Sequence, residues 1–278
     1  MPTLPSDTPT DLRVGNFEEF FVFGLVLVVA IVSTAYLLRG LRGWDLRFHL
    51  LVLLGSALCI FFEPALASVG GFWYATVGQN LGLIQLWGVT VGAHMLVLYY
   101  VFLGVTTLFI VRYVRRGATG RDLFRLYGVI VVLAIVLELP ILFLTDIYTY
   151  YGANQPFFDS DWFPLPLWYP VLNGTLPFCM ATLAMLVGSS GRPWHLYLIP
   201  VLMPAYLFGI YFAMGWPALT VINTDVSQGV AYLGGLGTMA LSVLMMHFQS
   251  IALPRLARTF ELPEEEVEVA TATAPAST

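Results

Sequence analysis

Seven apolar stretches, each long enough to cross a bilayer, recur along this chain. They run over roughly 17–38, 46–68, 88–111, 123–145, 165–187, 193–215 and 227–251. A hydrocarbon core of about 30 Å takes about 20 apolar residues per helix. Lipid leaves a spanning backbone two solutions, the helix and the closed barrel, because every peptide group must find its partner internally. Runs of this length choose the helix. The chain is 58% hydrophobic and 10% charged, where a soluble domain carries about 25% charged residues. The expected fold class is therefore an all-α integral membrane protein with seven transmembrane helices. Residues 1–16 read as a polar N-terminal segment, 17–254 as the seven-helix domain and 255–278 as an acidic cytoplasmic tail. Five glutamates between Glu261 and Glu268 run there into an Ala/Thr/Pro-rich end, a disordered composition.

Charge placement sets the expected orientation. Arg39, Arg42 and Arg47 follow the first stretch, Arg112, Arg115, Arg116, Arg121 and Arg125 flank the turn after the third, Arg192 follows the fifth, and Arg255 and Arg258 follow the seventh. The alternate connections carry Asp146, Asp159, Asp161 and Asp225, and only Arg13 lies on their side. The positive-inside rule then puts the N-terminus outside and the C-terminus in the cytoplasm. The N-terminal segment lacks a basic n-region and the first apolar run is too long for a signal-peptide core, so no cleaved targeting segment is expected. All twelve basic residues are arginine. Without lysine there is no retinal Schiff base, and a helix count of seven cannot mean a rhodopsin. Cys59 and Cys179 lie inside apolar stretches and read as small hydrophobes rather than as a disulfide or metal pair.

Against this apolar background a few ionisable residues stand out, because a charge in hydrocarbon costs several kcal/mol. Counting about 1.5 Å per residue from the outer helix ends puts Glu63 about 8 Å deep, His94 about 9 Å, Glu138 about 10 Å and Asn173 about 12 Å. Asp225 and Gln228 stand at the outer start of the last stretch. Five helices would thus bring polar groups to one layer, whereas the inner halves stay dry. Each residue also has a plainer role open to it. Glu63, before Pro64, could reach headgroup water, and Glu138, before Pro140, could bridge two helices. His94 could be a packing histidine, Asp225 the N-cap of the last helix, and Asn173 an interhelical hydrogen-bonding group. Read together they form an acidic pocket. A neutral Glu63 or Glu138 could protonate an olefin or epoxide, and an ionised neighbour or His94 could take the proton back. Holding two titrating groups in different surroundings is how one pocket obtains both an acid and a base.

The outer connections are long and aromatic, and loops of that kind are often lids. Residues 69–87 include Trp73, Tyr74 and Gln79; residues 146–166 include Tyr148, Tyr150, Tyr151 and Trp162. The mouth of any site is expected on that face, with Trp73, Tyr74, Gln79, Tyr99, Tyr151, Trp168, Asn173 and Gln228 around the pocket. Aromatic faces there could shield a cationic intermediate, though aromatics in such helices also serve lipid contact and packing. Gly229, Gly234, Gly235 and Gly237 favour close packing of the last helix, and Pro200 and Pro204 are expected to kink the sixth.

Several chemistries lack their residues. His49, His195 and His247 fall near the inner face and His94 alone outside, so haem pairs and di-iron ligation are not expected. Gly188-Ser189-Ser190-Gly191 matches an intramembrane serine-protease string but lies in a basic inner turn. No paired Asp-rich segments bind a magnesium diphosphate, and no phosphate-cradling glycine loop occurs. No metal and no cofactor are expected.

Glu63-Pro64 with Trp73-Tyr74 and Gly78-Gln79, then Tyr150-Tyr151-Gly152 with Gln155-Pro156, Pro166-Leu167-Trp168 and Asn173, resemble a group of largely uncharacterised actinobacterial seven-helix membrane proteins. The resemblance implies a bacterial plasma membrane. More remotely, the layout is similar to the integral-membrane terpene cyclases of fungal meroterpenoid and bacterial indole-terpenoid type. That likeness implies Glu63 as the acid and Asp225 as a second acidic group. The leading expectation is a metal-independent isoprenoid cyclase, with His94, Glu138 and Asp225 tuning Glu63 or taking the final proton. A transporter or carrier of lipids or small molecules using the same pocket stays open, as does a non-enzymatic receptor-like protein. The expected partners are a hydrophobic isoprenoid or lipid-like molecule and membrane lipid, with no nucleic acid.

Overall fold

The computed structural model describes residues 8–159, 162–190 and 192–260. The acidic tail from residue 261 lies outside the described residues, as do Asp161 and Gly191. The described chain is mostly helical, with seven helices long and apolar enough to cross a membrane. These are α1 (Asn16–Leu38), α2 (Gly43–Gly70), α3 (Ala93–Arg115), α4 (Gly120–Leu144), α5 (Trp168–Gly188), α6 (Pro193–Ile222) and α7 (Gln228–Thr259). The start of α4 is fixed locally. The Thr119 hydroxyl accepts the Asp122 amide at 3.3 Å while the Asp122 carboxylate accepts the Thr119 amide at 3.0 Å, a reciprocal cap.

Helix α5 is the hub. Nearly all its residues from Leu172 to Met185 are buried, and α3, α4, α6 and α7 pack around it. Going round, α4 packs on α7, α7 on α6, α6 on α2 and α2 on α3, while α1 leans on α3 from outside. The glycines of α7 serve that packing: a Cβ on Gly234 would meet Val221 and the Pro217 carbonyl of α6 at under 3 Å. The ring does not close between α3 and α4, which make no extended contact beyond their connecting turn. Two helices carry irregular turns. Helix α2 tightens to a 3-10 turn over Cys59–Phe62, and α3 widens to a π-turn over Tyr100–Val105.

The outer connections depart from the expected loops, and the fold is not purely helical. Strands β1 (Phe72–Tyr74) and β4 (Tyr148–Tyr150) form an antiparallel ribbon that joins the two loops, pairing Phe72 with Tyr150, Trp73 with Thr149 and Tyr74 with Tyr148. Strands β2 (Gly82–Leu86) and β3 (Val89–Gly92) form a hairpin. Its turn, Trp87-Gly88, has φ of 53° and 82°, the left-handed geometry that suits the twist of a two-residue connection. This hairpin corrects the expected third span. Val89-Thr90-Val91 is β-branched and pairs as a strand, so the helix starts at Ala93, not 88. His94 therefore sits at the helix mouth rather than six residues inside it. Two further expectations shift. Pro200 lies in the first turn of the regular part of α6, where a missing amide costs nothing, leaving Pro204 and Pro217 inside the helix. The N-cap of α7 is Ser227, and Asp225 is an exposed residue of the preceding loop.

Candidate functional site

Glu63 opens the last helical segment of α2, with Pro64 behind it in that segment's first turn. Its carboxyl is buried, and each oxygen accepts from a phenol: Oε1 from Tyr74 on β1, Oε2 from Tyr99 on α3. Glu138 lies on α4, two residues before Pro140. It accepts from two phenols as well, but both reach the same oxygen. Tyr148 donates to Oε1 at 2.7 Å and Tyr150 to Oε1 at 2.6 Å. Oε2 of Glu138 has no hydrogen bond among the described residues, and Glu138 is one of the residues that line the cavity.

The ribbon explains why three of its tyrosines meet two carboxyls. Alternate residues of a strand face the same side, so Phe72 and Tyr74 of β1 point with Tyr148 and Tyr150 of β4 towards the bundle. The Tyr74 and Tyr148 rings lie 5.8 Å apart, and Phe72 and Tyr150 5.9 Å. Below them Tyr211 on α6 donates to Tyr169 on α5 at 2.8 Å, and Tyr169 packs on Tyr150 with 5.1 Å between ring centres. Burial, reinforced by the carboxyl beside each, pushes the phenols of Tyr74, Tyr148 and Tyr150 well above the usual tyrosine range. At neutral pH they are firm proton donors, which fixes the direction of the bonds to the carboxyls.

These groups enclose one cavity of about 210 Å³. Glu63, Glu138 and the phenols form its outer part, and Met95, Phe102, Leu103, Leu176 and Leu207 its apolar remainder. Asn173 joins from α5 without a hydrogen bond among the described residues. Of the residues singled out in the sequence, Glu63, Glu138, Tyr74, Tyr99 and Asn173 thus come together. Trp73, Gln79, His94, Tyr151, Trp168, Asp225 and Gln228 do not line the cavity. Trp73 is on the opposite face of β1. His94 is buried beside Gly92 with both ring nitrogens unpartnered. Gln228 is exposed and bonds Tyr232 at 3.0 Å. Trp168 and Tyr151 hold the lid instead: the Trp168 indole donates to buried Gln155 at 3.3 Å, Gln155 donates to the Gly70 and Gly71 carbonyls at 3.1 and 3.2 Å, and the Tyr151 amide donates to Gly71 at 2.8 Å.

Sequence reasoning passed over Phe72, Tyr148, Tyr150 and Tyr211 as site residues. The signal was present for two pairs, since Phe-Trp-Tyr and Tyr-Thr-Tyr each space two aromatics at the period of a strand. Tyr211 had no signal beyond its apolar helix. Glu19 was also missed as a buried group. Its carboxylate accepts the Asn80 and Leu81 amides at 2.8 and 2.9 Å, anchoring the chain that leads into the β2–β3 hairpin to α1. Comparisons with known protein families, with curated proteins and with solved structures found no match.

Proposed function

We propose that the chain is an integral membrane protein of a bacterial plasma membrane, N-terminus outside, and that its carboxyl–tyrosine cavity is the active site of an acid-initiated isoprenoid cyclase. The observation that carries this reading is the pairing of two carboxyls in one mostly apolar chamber, with different hydrogen-bond states. Glu63, accepting a phenol on each oxygen, is in this reading the carboxyl that takes the final proton. Glu138, with both donors on Oε1, can carry a proton on Oε2 and present it to the cavity. This division differs from the sequence expectation, which gave Glu63 the donor role. His94 and Asp225 have no part in it, as neither lines the chamber.

In the proposed reaction the Glu138 proton passes from Oε2 to an alkene carbon. The alkene electron pair becomes the new C–H bond and leaves a carbocation. A second double bond attacks that cation, forming the ring C–C bond and moving the charge. A neighbouring C–H bond then supplies the electrons of a new double bond, and its proton goes to Glu63. Return of that proton from Glu63 to Glu138, across the adjacent Tyr74 and Tyr148, resets the pair. One proton enters and one leaves, so an alkene substrate is isomerised at constant mass. With an epoxide, protonation at oxygen breaks a C–O bond and leaves a hydroxyl. Phenol and phenyl faces around the chamber stabilise the cation. The acid in this reading is the Glu138 side chain.

A carrier needs polar partners along a whole route. Here two inner-half hydroxyls are already bonded inside the bundle: Thr182 donates to Gln249, and Thr107 to the Pro177 carbonyl at 3.2 Å. That favours turnover over transport. The test is to supply membranes with linear prenyl alcohols, prenyl quinones and their epoxides and to look by mass spectrometry for cyclic isomers. Wild type is expected to form one, and Glu138→Gln and Glu63→Gln each to lose about 100-fold or more in rate, the scale of general acid–base catalysis. Specific binding with no isomer would mean a carrier.

A further inference from the structure

The cavity is roofed from the outer side, yet it is not closed. Phe72, Tyr74 and Tyr150 of the roof are buried, as are Glu63, Leu66, Tyr169 and Tyr211. The lining residues that keep exposure lie almost entirely on α3 and α4, namely Leu98, Tyr99 and Phe102 on one helix and Ala134, Leu137, Glu138 and Ile141 on the other. Leu98 is 40% exposed and Leu137 66% while both also line the cavity. A residue can do both only at an opening. It coincides with the one break in the ring of helices, the gap between α3 and α4, and with the π-turn at Tyr100–Val105 that displaces the α3 backbone there. Asn173, the cavity's half-buried residue on α5, stands where that gap would expose it.

Five of the seven residues at the opening, Leu98, Phe102, Ala134, Leu137 and Ile141, present hydrocarbon, so an alkyl chain gains by lying there. The chamber volume, about 210 Å³, falls below the roughly 300–1,000 Å³ of pockets that enclose a whole drug-sized ligand. We propose that the chamber takes only the reactive end of a long-chain lipid, which slides in sideways from the outer leaflet, leaving its tail in the cleft between α3 and α4. The ligand class is a linear polyisoprenoid or similar unsaturated chain dissolved in the bilayer, not a solute arriving from water. Leu98, Phe102 and Leu137 grip the chain at the threshold, and Ala134 leaves the width for it. This rests on the membrane placement and on the cavity being the site, and it deepens the cyclase reading by naming how the substrate lies.

The probe is a polyprenol carrying a diazirine near the end of its tail, incorporated with the full-length protein into phosphatidylcholine/phosphatidylglycerol vesicles and photolysed. Competable labelling is expected within Leu98–Phe102 and Ala134–Ile141, located by peptide mass spectrometry. Ala134→Trp is expected to reduce that labelling about tenfold, with helicity by circular dichroism and melting unchanged. A variant that does not fold leaves the wild-type label map to decide. Labelling in the Phe72–Tyr74 or Tyr148–Tyr150 segments overturns the sideways route, as does the absence of competable labelling. Labelling in the cleft without any cyclic product overturns the cyclase reading alone. Cyclisation with labelling elsewhere overturns the cleft alone.

Discussion

At the scale of single residues the difference between Glu63 and Glu138 lies in how two donors are shared. Two phenols on two oxygens leave no free atom; two phenols on one oxygen leave Oε2 without a donor. The sequence named both carboxyls because an acid inside an apolar run is rare. It could not name their donors, since Tyr148 and Tyr150 lie ten and twelve residues beyond Glu138, across a helix end and into a strand. A quantitative consequence follows from the shared acceptor. Tyr148→Phe or Tyr150→Phe leaves Oε1 one donor and is expected to cost about 1 kcal/mol. The double change leaves a half-buried carboxyl with none and is expected to cost about 3 kcal/mol. Unfolding in SDS–detergent mixtures measures all three. A double cost no larger than the sum of the singles would count against the shared oxygen.

At the scale of elements the β1–β4 ribbon is the part that makes a site out of a helix bundle. It draws two loops, distant in sequence, over the outer ends of α2, α3, α4 and α5. Gly71 sets its angle. The residue ends α2 at φ 66°, and a Cβ there would come within 2.8 Å of the Tyr151 carbonyl oxygen and 2.9 Å of the Gln155 amide nitrogen. Gly71→Ala therefore meets both a left-handed backbone, costing about 1–2 kcal/mol, and a clash with backbone. The expected outcome is an unseated roof, read as faster hydrogen exchange across 69–75 and 146–157 with α5 and α7 unaffected. Protection unchanged in those segments would mean that the ribbon tolerates a shift. The helices were legible because their apolar runs are long. The β1 and β4 strands were not, because three residues show the alternation only once and their pairing joins positions about 76 residues apart.

At the scale of the whole molecule eleven of the twelve arginines gather at one end of the bundle and the roofed cavity lies at the other. The proposed orientation predicts that a membrane-impermeant maleimide labels Asp225→Cys in intact cells and Arg192→Cys only after lysis. Both positions are exposed, and the native Cys59 and Cys179 are fully buried and silent. The reverse pattern would invert the topology and put the cavity in the cytoplasmic half. The sequence by itself determined the helix count, the basic end and the two carboxyls, because each is a local matter of hydrophobic length or of a charge where charge is costly. Only the tertiary structure decided which of the polar groups meet. Counting depth along each helix put His94, Asp225 and Gln228 in one layer with Glu63 and Glu138. Depth carries no information about the direction a side chain faces, and a strand in place of a helix turn moved His94 to the rim. Chamber, roof and side opening arise from which helices touch, and above all from the pair that does not: α3 and α4 are joined by a short turn at the inner end and part towards the outer one.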